Sequence, residues 1–353
     1  MKTTKLFLFL PLCVALLFSG CDKDDSPPSL KNLKAGMLEE IVVLQGMEDV
    51  TSLTLGGKID QRDFDYMKEM MVEGNLSEIN LKNAMIVAYG EYPAGEIPKE
   101  AFMLMRQVLD NTYLKKFVFP ERVTSIGSYA FYYCIDLTGS LIIPDRVTSI
   151  GFCAFSDCFG LTGSLVIPNS VTSIKSHAFM GCSGFTGSLT IPTGVTSIES
   201  NTFFGCSGFT GVLTIPTNIT SIGHHAFTGC SGFTGSLIIP NSVTSIGAGA
   251  FAGCSGFTGS LIIPASVTSI ESEAFYNCSG FTGSLIIPAS VTSIRSNAFD
   301  GCKNLSDIKV SWAMPIFYPQ NMFPPDKTIY VPSASLSSYQ SASGWKDHTL
   351  IGY

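Results

Sequence analysis

Eight prolines recur at a constant interval of 24 residues, Pro120, Pro144, Pro168, Pro192, Pro216, Pro240, Pro264 and Pro288, and eight cysteines keep the same step from Cys134 to Cys302. A fixed period of this size makes each unit one supersecondary element that cannot bury its apolar face alone. It is completed only by stacking on its neighbours. The chain must therefore be a solenoid, and its 353 residues need not divide into several globular domains.

The apolar positions of the unit recur in columns: Leu141 to Leu285, Ile143 to Ile287, Val123 to Val291 with Ile219 as the one exchange, Ile126 to Ile294 and Phe131 to Phe299. A further column runs Leu137, Leu161, Phe185, Phe209, Phe233, Phe257, Phe281, Leu305. Stacked, each becomes a ladder of like side chains. Leu237-Ile238-Ile239 is short, β-prone and ended by Pro240, which cannot donate to a ladder and keeps its predecessor extended, so it is read as the strand of a parallel coil-on-coil sheet. Val243 to Ile246 is also β-prone, but two inward residues three apart break strict alternation. It is read as either a second short strand or a bend. Phe251 and Cys254 have the i, i+3 spacing of one helical or 3₁₀ turn. Gly259 and its equivalents supply a turn in which φ is positive or backbones pass closely.

These residues resemble the BspA-like leucine-rich repeats: a strand ending in Ile-Pro, then Val-x-x-Ile, Ala-Phe and Cys, over roughly residues 50–353. The unit is one residue longer than the family's usual one, through Thr234-Gly235-Ser236, which resembles the Leu-Thr-Gly element of plant-type repeats. The fold class expected is a repeat solenoid, α/β and β-rich, of 24-residue coils with a parallel sheet and caps at both ends. Residues 119–310 are read as the repeat array. Residues 31–118 form an N-terminal cap of degenerate strands at Leu53, Leu55, Ile79 and Leu81 around an acidic helical stretch near Asp63–Met71. Residues 311–353, with Trp312, Tyr339 and Trp345, resemble the family's C-terminal cap. The resemblance also implies a cell-surface protein that adheres to host matrix or to other cells.

The first 20 residues read as a signal peptide: Lys2 and Lys5 precede an apolar run from Leu6 to Phe18 that is too short to span a membrane. Ser19-Gly20 before Cys21 resembles the lipobox of bacterial lipoproteins, which makes Cys21 the lipidated first residue and places the chain on the outer membrane of a Gram-negative bacterium. Asp22-Lys23-Asp24-Asp25 resembles the acidic signal that exports such lipoproteins to the cell surface. Residues 21–30 then form a tether through Ser26-Pro27-Pro28-Ser29. The alternative is a cleaved signal that releases a free soluble product.

Eleven cysteines in an exported protein would ordinarily suggest disulfides. Coil-on-coil stacking opposes this, because equivalent Cβ atoms lie about 4.8 Å apart with parallel vectors while a disulfide needs about 3.8 Å and convergence. The ladder is expected to be buried free thiols, with Cys153, outside it, as the exposed one. One cysteine per coil in a line cannot surround an ion, so no metal or other cofactor is expected.

Catalytic chemistry finds no foothold. His177, His224, His225 and His348 have no nucleophile or carboxylate at a recurring spacing, and adjacent His224 and His225 are expected to point apart on the surface. Asp63 and Asp65, two apart on a helix, face different ways. A charged content of 14% with a net charge of −7 offers no basic field for nucleic acid. What remains is surface. The triplets between the core Ile and Ala, such as Gly223-His224-His225 and Glu271-Ser272-Glu273, are read as free to vary, and beside them runs an outward strand column, Ile142, Val166, Thr190, Thr214, Ile238, Ile262 and Ile286. This column is either a contact stripe or the ordinary β-branched preference of a parallel sheet. With His177, His224 and His225 it forms the candidate surface for a host or bacterial protein or glycan. The expected function is non-catalytic recognition or adhesion, the alternative a structural or accessory part of an outer-membrane assembly.

Overall fold

The computed structural model describes residues 28–103 and 114–353. The signal sequence, Cys21 and most of the tether lie outside the described residues. Every strand ladder is parallel. The stacking runs in one direction from β1 (Ser29–Leu33), β2 (Ser52–Ile59) and β3 (Glu78–Ile86) to a last strand at Thr349–Gly352. That is about 13 coils, so the solenoid extends well beyond the strict repeats at both ends.

The regular register follows from the 24-residue period: Ser197 pairs with Ser221, Ser221 with Ser245, Ser245 with Ser269 and Ser269 with Ser293. The Val-x-x-Ile segment is thus a strand as well as a bend. Its valine closes a turn on the proline three residues earlier, as Val243 N–H donates to Pro240 C=O at 3.0 Å, and the chain then extends through Ser245–Ile246. The Leu-Ile-Ile segment is the thinner ladder. Leu189 pairs with Leu213 and Leu261 with Leu285, while residues 237–239 form no regular strand. The proline that ends each segment has no N–H to carry the ladder further.

The Ala-Phe segment differs from the expected helical turn. Its amides alternate between partners. Ala226 N–H, Thr228 N–H and Cys230 N–H donate three residues back within the coil, whereas His225 N–H, Phe227 N–H and Gly229 N–H donate to carbonyls of the next coil at 2.7–2.8 Å. A left-handed residue stands at each end of the segment, His225 at φ 54° and Gly229 at φ 75°, with Tyr129, His177, Asn201 and Asn297 in the first rank and Tyr133, Asp157 and Asn277 in the second. These residues interrupt the right-handed turn and release alternate amides to bind the neighbouring coil. The third position of each variable triplet is therefore constrained to a left-handed backbone, which favours Asn, Gly and His.

Side chains fill the interior in ladders. Rings from Phe131 to Phe299 stack coil on coil with centroids 5.1–5.6 Å apart and planes within 9°. Phe323 continues the column beyond the last repeat. Offset stacking at this distance suits the ring quadrupoles. The eight ladder cysteines are free and buried, and each thiol from Cys158 to Cys302 donates to the carbonyl of the Phe one coil back, as Cys230 does to Phe203 at 3.0 Å. They are hydrogen-bond donors as well as spacers. Cys153 is buried too, against expectation.

The Ser-Ile ladder has one seam, between Ser173–Ile174 and Ser197–Ile198. There Thr202 replaces the alanine of the other coils, its hydroxyl donating to Glu199 C=O at 2.7 Å, and Glu199 reaches back to accept from Ser176 N–H at 2.8 Å and to pair with Lys175. Two helices, α1 (Leu38–Gln45) and α2 (Gln61–Val72), pack beside the first strands. Asp60 and Asp63 make a capping box at the start of α2. Buried Asp63 also accepts from Gly36 and Leu38 N–H, so its carboxylate ties the two helices together and is structural. At the other end α3 (Leu336–Ser341) and Trp345 close the core. Trp345 meets Trp312, Tyr318, Phe323 and Tyr339 edge to face and donates to Ile316 C=O at 2.9 Å.

Candidate binding surface

The strand column faces outward, as alternation with buried Leu and Ile requires. Ile142, Val166, Ile238 and Ile262 are 78%, 67%, 73% and 56% exposed, and Thr190 and Thr214 between them are exposed as well. Ile286 is only half-buried rather than open, because Lys309 follows it in register on the next coil. The column then continues through Tyr330 to Ile351. Such a row of apolar and hydroxyl side chains, one per coil, presents a flat face with no cleft. The contact such a row offers is apolar, with the Thr190 and Thr214 hydroxyls between.

The histidines do not converge. His224 is exposed and its Nδ1 accepts from Ala248 N–H of the next coil at 2.9 Å, while His225 turns to the Thr228 hydroxyl at 3.2 Å and lies over Gly249. His177 packs on Phe152 with ring centroids 5.2 Å apart. Burial lowers its pKa and leaves its Nδ1 without a hydrogen-bond partner. No group of three His, Cys, Asp or Glu among the described residues is arranged to hold a metal ion. The thiols are poor nucleophiles: burial pushes Cys134 and Cys302 of the ladder up to about 12, and Cys153, outside it, up to about 11. A shallow polar crevice along the seam, lined by Thr172–Lys175, Val195, Thr196, Ser197 and Glu199, carries the Lys175–Glu199 ion pair.

One cluster escaped the sequence reading. Tyr129, Tyr132, Tyr133, Phe152 and Phe159 come together on the turn face of two adjacent coils, with neighbouring rings 5.2–6.5 Å apart. The signal was present in the sequence, since the later coils put Ser, Asn, Gly or Thr at most of these positions.

This architecture defines a repeat scaffold of stacked parallel coils. The model of the BspA type leucine rich repeat region matches it in six copies, over residues 96–234, 161–281 and 233–323. The chain belongs to that family. Leucine-rich repeat proteins in general bind other proteins. Among solved structures, a leucine rich cell surface protein from Faecalibacterium prausnitzii is 28% identical, covering 76% of this chain and 85% of its own, with a TM-score of 0.48. A leucine-rich repeat protein from Bacteroides ovatus is 23% identical over 76% of this chain and 89% of its own, at a TM-score of 0.41. A leucine rich repeat protein from T. pallidum is 25% identical over 56% and 78%, at 0.35. No protein of curated function matches the chain. Among the described residues, no helix is long and apolar enough to cross a membrane.

Proposed function

We propose that this protein is a surface lipoprotein, anchored through Cys21 to the outer membrane, that recognises a protein of a host or bacterial surface without catalysis. The observation that carries the reading is the exposed column from Ile142 to Ile262, a repeated apolar row with nothing packed on it among the described residues. Contacts made once per coil add, so a partner lying along the sheet gains affinity with each coil it covers. Two acyl chains on Cys21 supply stable attachment where one would be marginal.

Two linked measurements test it. Intact cells are treated with a membrane-impermeant biotin reagent. Labelling of the wild type supports an outward location, and Cys21→Ala should move the protein out of the membrane fraction. Pull-downs from host and bacterial surface extracts then compare the wild type with Ile238→Ser/Ile262→Ser/Ile286→Ser. A partner lost by the triple variant supports recognition through the stripe. Partners confined to the bacterium's own outer-membrane assemblies and retained by the triple variant would favour the structural, accessory role instead.

A further inference from the structure

We infer that the aromatic cluster at Tyr129, Tyr132, Tyr133, Phe152 and Phe159 is a platform for a neutral glycan, separate from the strand stripe. Two independent features lead there. The first is cost. Tyr129 and Tyr133 occupy both left-handed positions of one coil, at φ 60° and 61°. A bulky side chain is disfavoured in that region, and the same two positions hold Asn201, Asn297, Gly229 and Gly253 in other coils. The fold is satisfied by Asn and Gly there, so two tyrosines are not needed for the turn.

The second feature is what the rings present. Tyr129 meets Tyr132 and Phe152 edge to face, Tyr133 meets Phe159 likewise, and Phe159 is nearly half exposed. Edge-to-face packing fixes the rings against one another, and the four besides Phe159 are half-buried, so part of each remains accessible. Polar groups border the rings: Asp157, which accepts from the Ser156 hydroxyl at 3.0 Å and acts electrostatically on Tyr132, and the tyrosine hydroxyls. A pyranose ring has an apolar C–H face that rests on an aromatic and a rim of hydroxyls that donate to carboxylates. Rigid rings bordered by acceptors match both. A purely apolar protein segment would gain nothing from the Asp157 carboxylate, and an acidic glycan would be repelled by it.

The experiment is native affinity electrophoresis of the full chain, in mild detergent where lipidated, through gels holding a mixed-linkage β-glucan, a xyloglucan, a galactomannan or an α-mannan. At least one polysaccharide should retard the protein. Tyr129→Asn/Tyr133→Gly, which installs the residues other coils use, should weaken that retardation by about tenfold or more while melting no lower than the wild type. Phe159→Ser should weaken it as well without touching a left-handed position. Ile238→Ser/Ile262→Ser/Ile286→Ser should be retarded like the wild type, so failure of the stripe and failure of the platform are read separately. Absence of retardation by all four polysaccharides, full retardation of both aromatic variants, or a double variant that melts well below the wild type would each overturn the proposal. Retardation in a further gel holding gelatin, lost in both aromatic variants and seen with none of the polysaccharides, would overturn it too, assigning the cluster to a protein.

Discussion

Phe227→Ala tests the stacked core most directly. The Phe227 ring is fully buried between Phe203 at 5.5 Å and Phe251 at 5.4 Å, with Phe233 edge-on at 6.4 Å. Truncation leaves a void of roughly 100 Å³, about 2.4 kcal/mol at about 24 cal/mol per Å³, in addition to a lost transfer free energy of about 2 kcal/mol. Two stacked contacts vanish as well, at about 0.5–1.5 kcal/mol each, and partial collapse of the neighbours returns some of that, so a loss of about 3–5 kcal/mol is expected. The comparison is Glu271→Ala. The sequence places Glu271 in a freely variable triplet, while the structure gives it a partner, Arg295 Nε at 2.7 Å, in a half-exposed pair worth about 1 kcal/mol at most. Urea denaturation of both variants is followed by far-ultraviolet dichroism, with amide exchange to show whether the loss centres on coils 203–251. Solenoids unfold by neighbouring units, so the local readout guards against reading one global transition into several. Equal stability of the two variants would refute the inward stacking of the Phe column.

The nine described cysteines should stay unreactive to a thiol reagent until the protein unfolds, with Cys153, the least deeply placed and raised only to about 11, the first to react; rapid native titration of several thiols would contradict the ladder. Stability should fall on acidification: burial lowers the pKa of His177 and of His348, the latter opposed by Asp347, so the unfolded chain takes up protons near pH 6.5 before the folded one does. Stability is then complete above that pH and is lost as pH drops toward the folded-state values. His177→Asn, which suits the left-handed position, should flatten the slope in denaturation midpoints between pH 7.5 and 5, and an unchanged slope would count against it. Asp63→Asn should cost about 1–3 kcal/mol in urea denaturation, because an amide cannot accept from Gly36, Leu38 and Asp60 N–H together; a neutral change would show that the carboxylate does not hold α1 to α2.

The 24-residue period determined by itself that the chain stacks on its own copies, and strict recurrence of Leu, Ile, Val, Phe and Cys determined which side chains face inward. Those positions see the same neighbours one coil away, so local pattern and tertiary contact carry the same information. The outward column was legible for the same reason, through alternation with buried Leu and Ile. Only the tertiary structure decided how the backbone amides are shared between coils. The Ser-Ile segment carries the regular sheet and the Leu-Ile-Ile segment the thinner one, because each amide's partner lies on another coil and leaves no mark on local periodicity. The left-handed residues, among them Tyr129, Cys153 and His225, are likewise set by that sharing, and the burial of Cys153 was settled only when neighbouring coils packed around it. The aromatic cluster needed the fold for the same physical reason: Tyr129 and Phe152 stand 23 residues apart in the chain, and stacking of adjacent coils brings their rings to 5.2 Å.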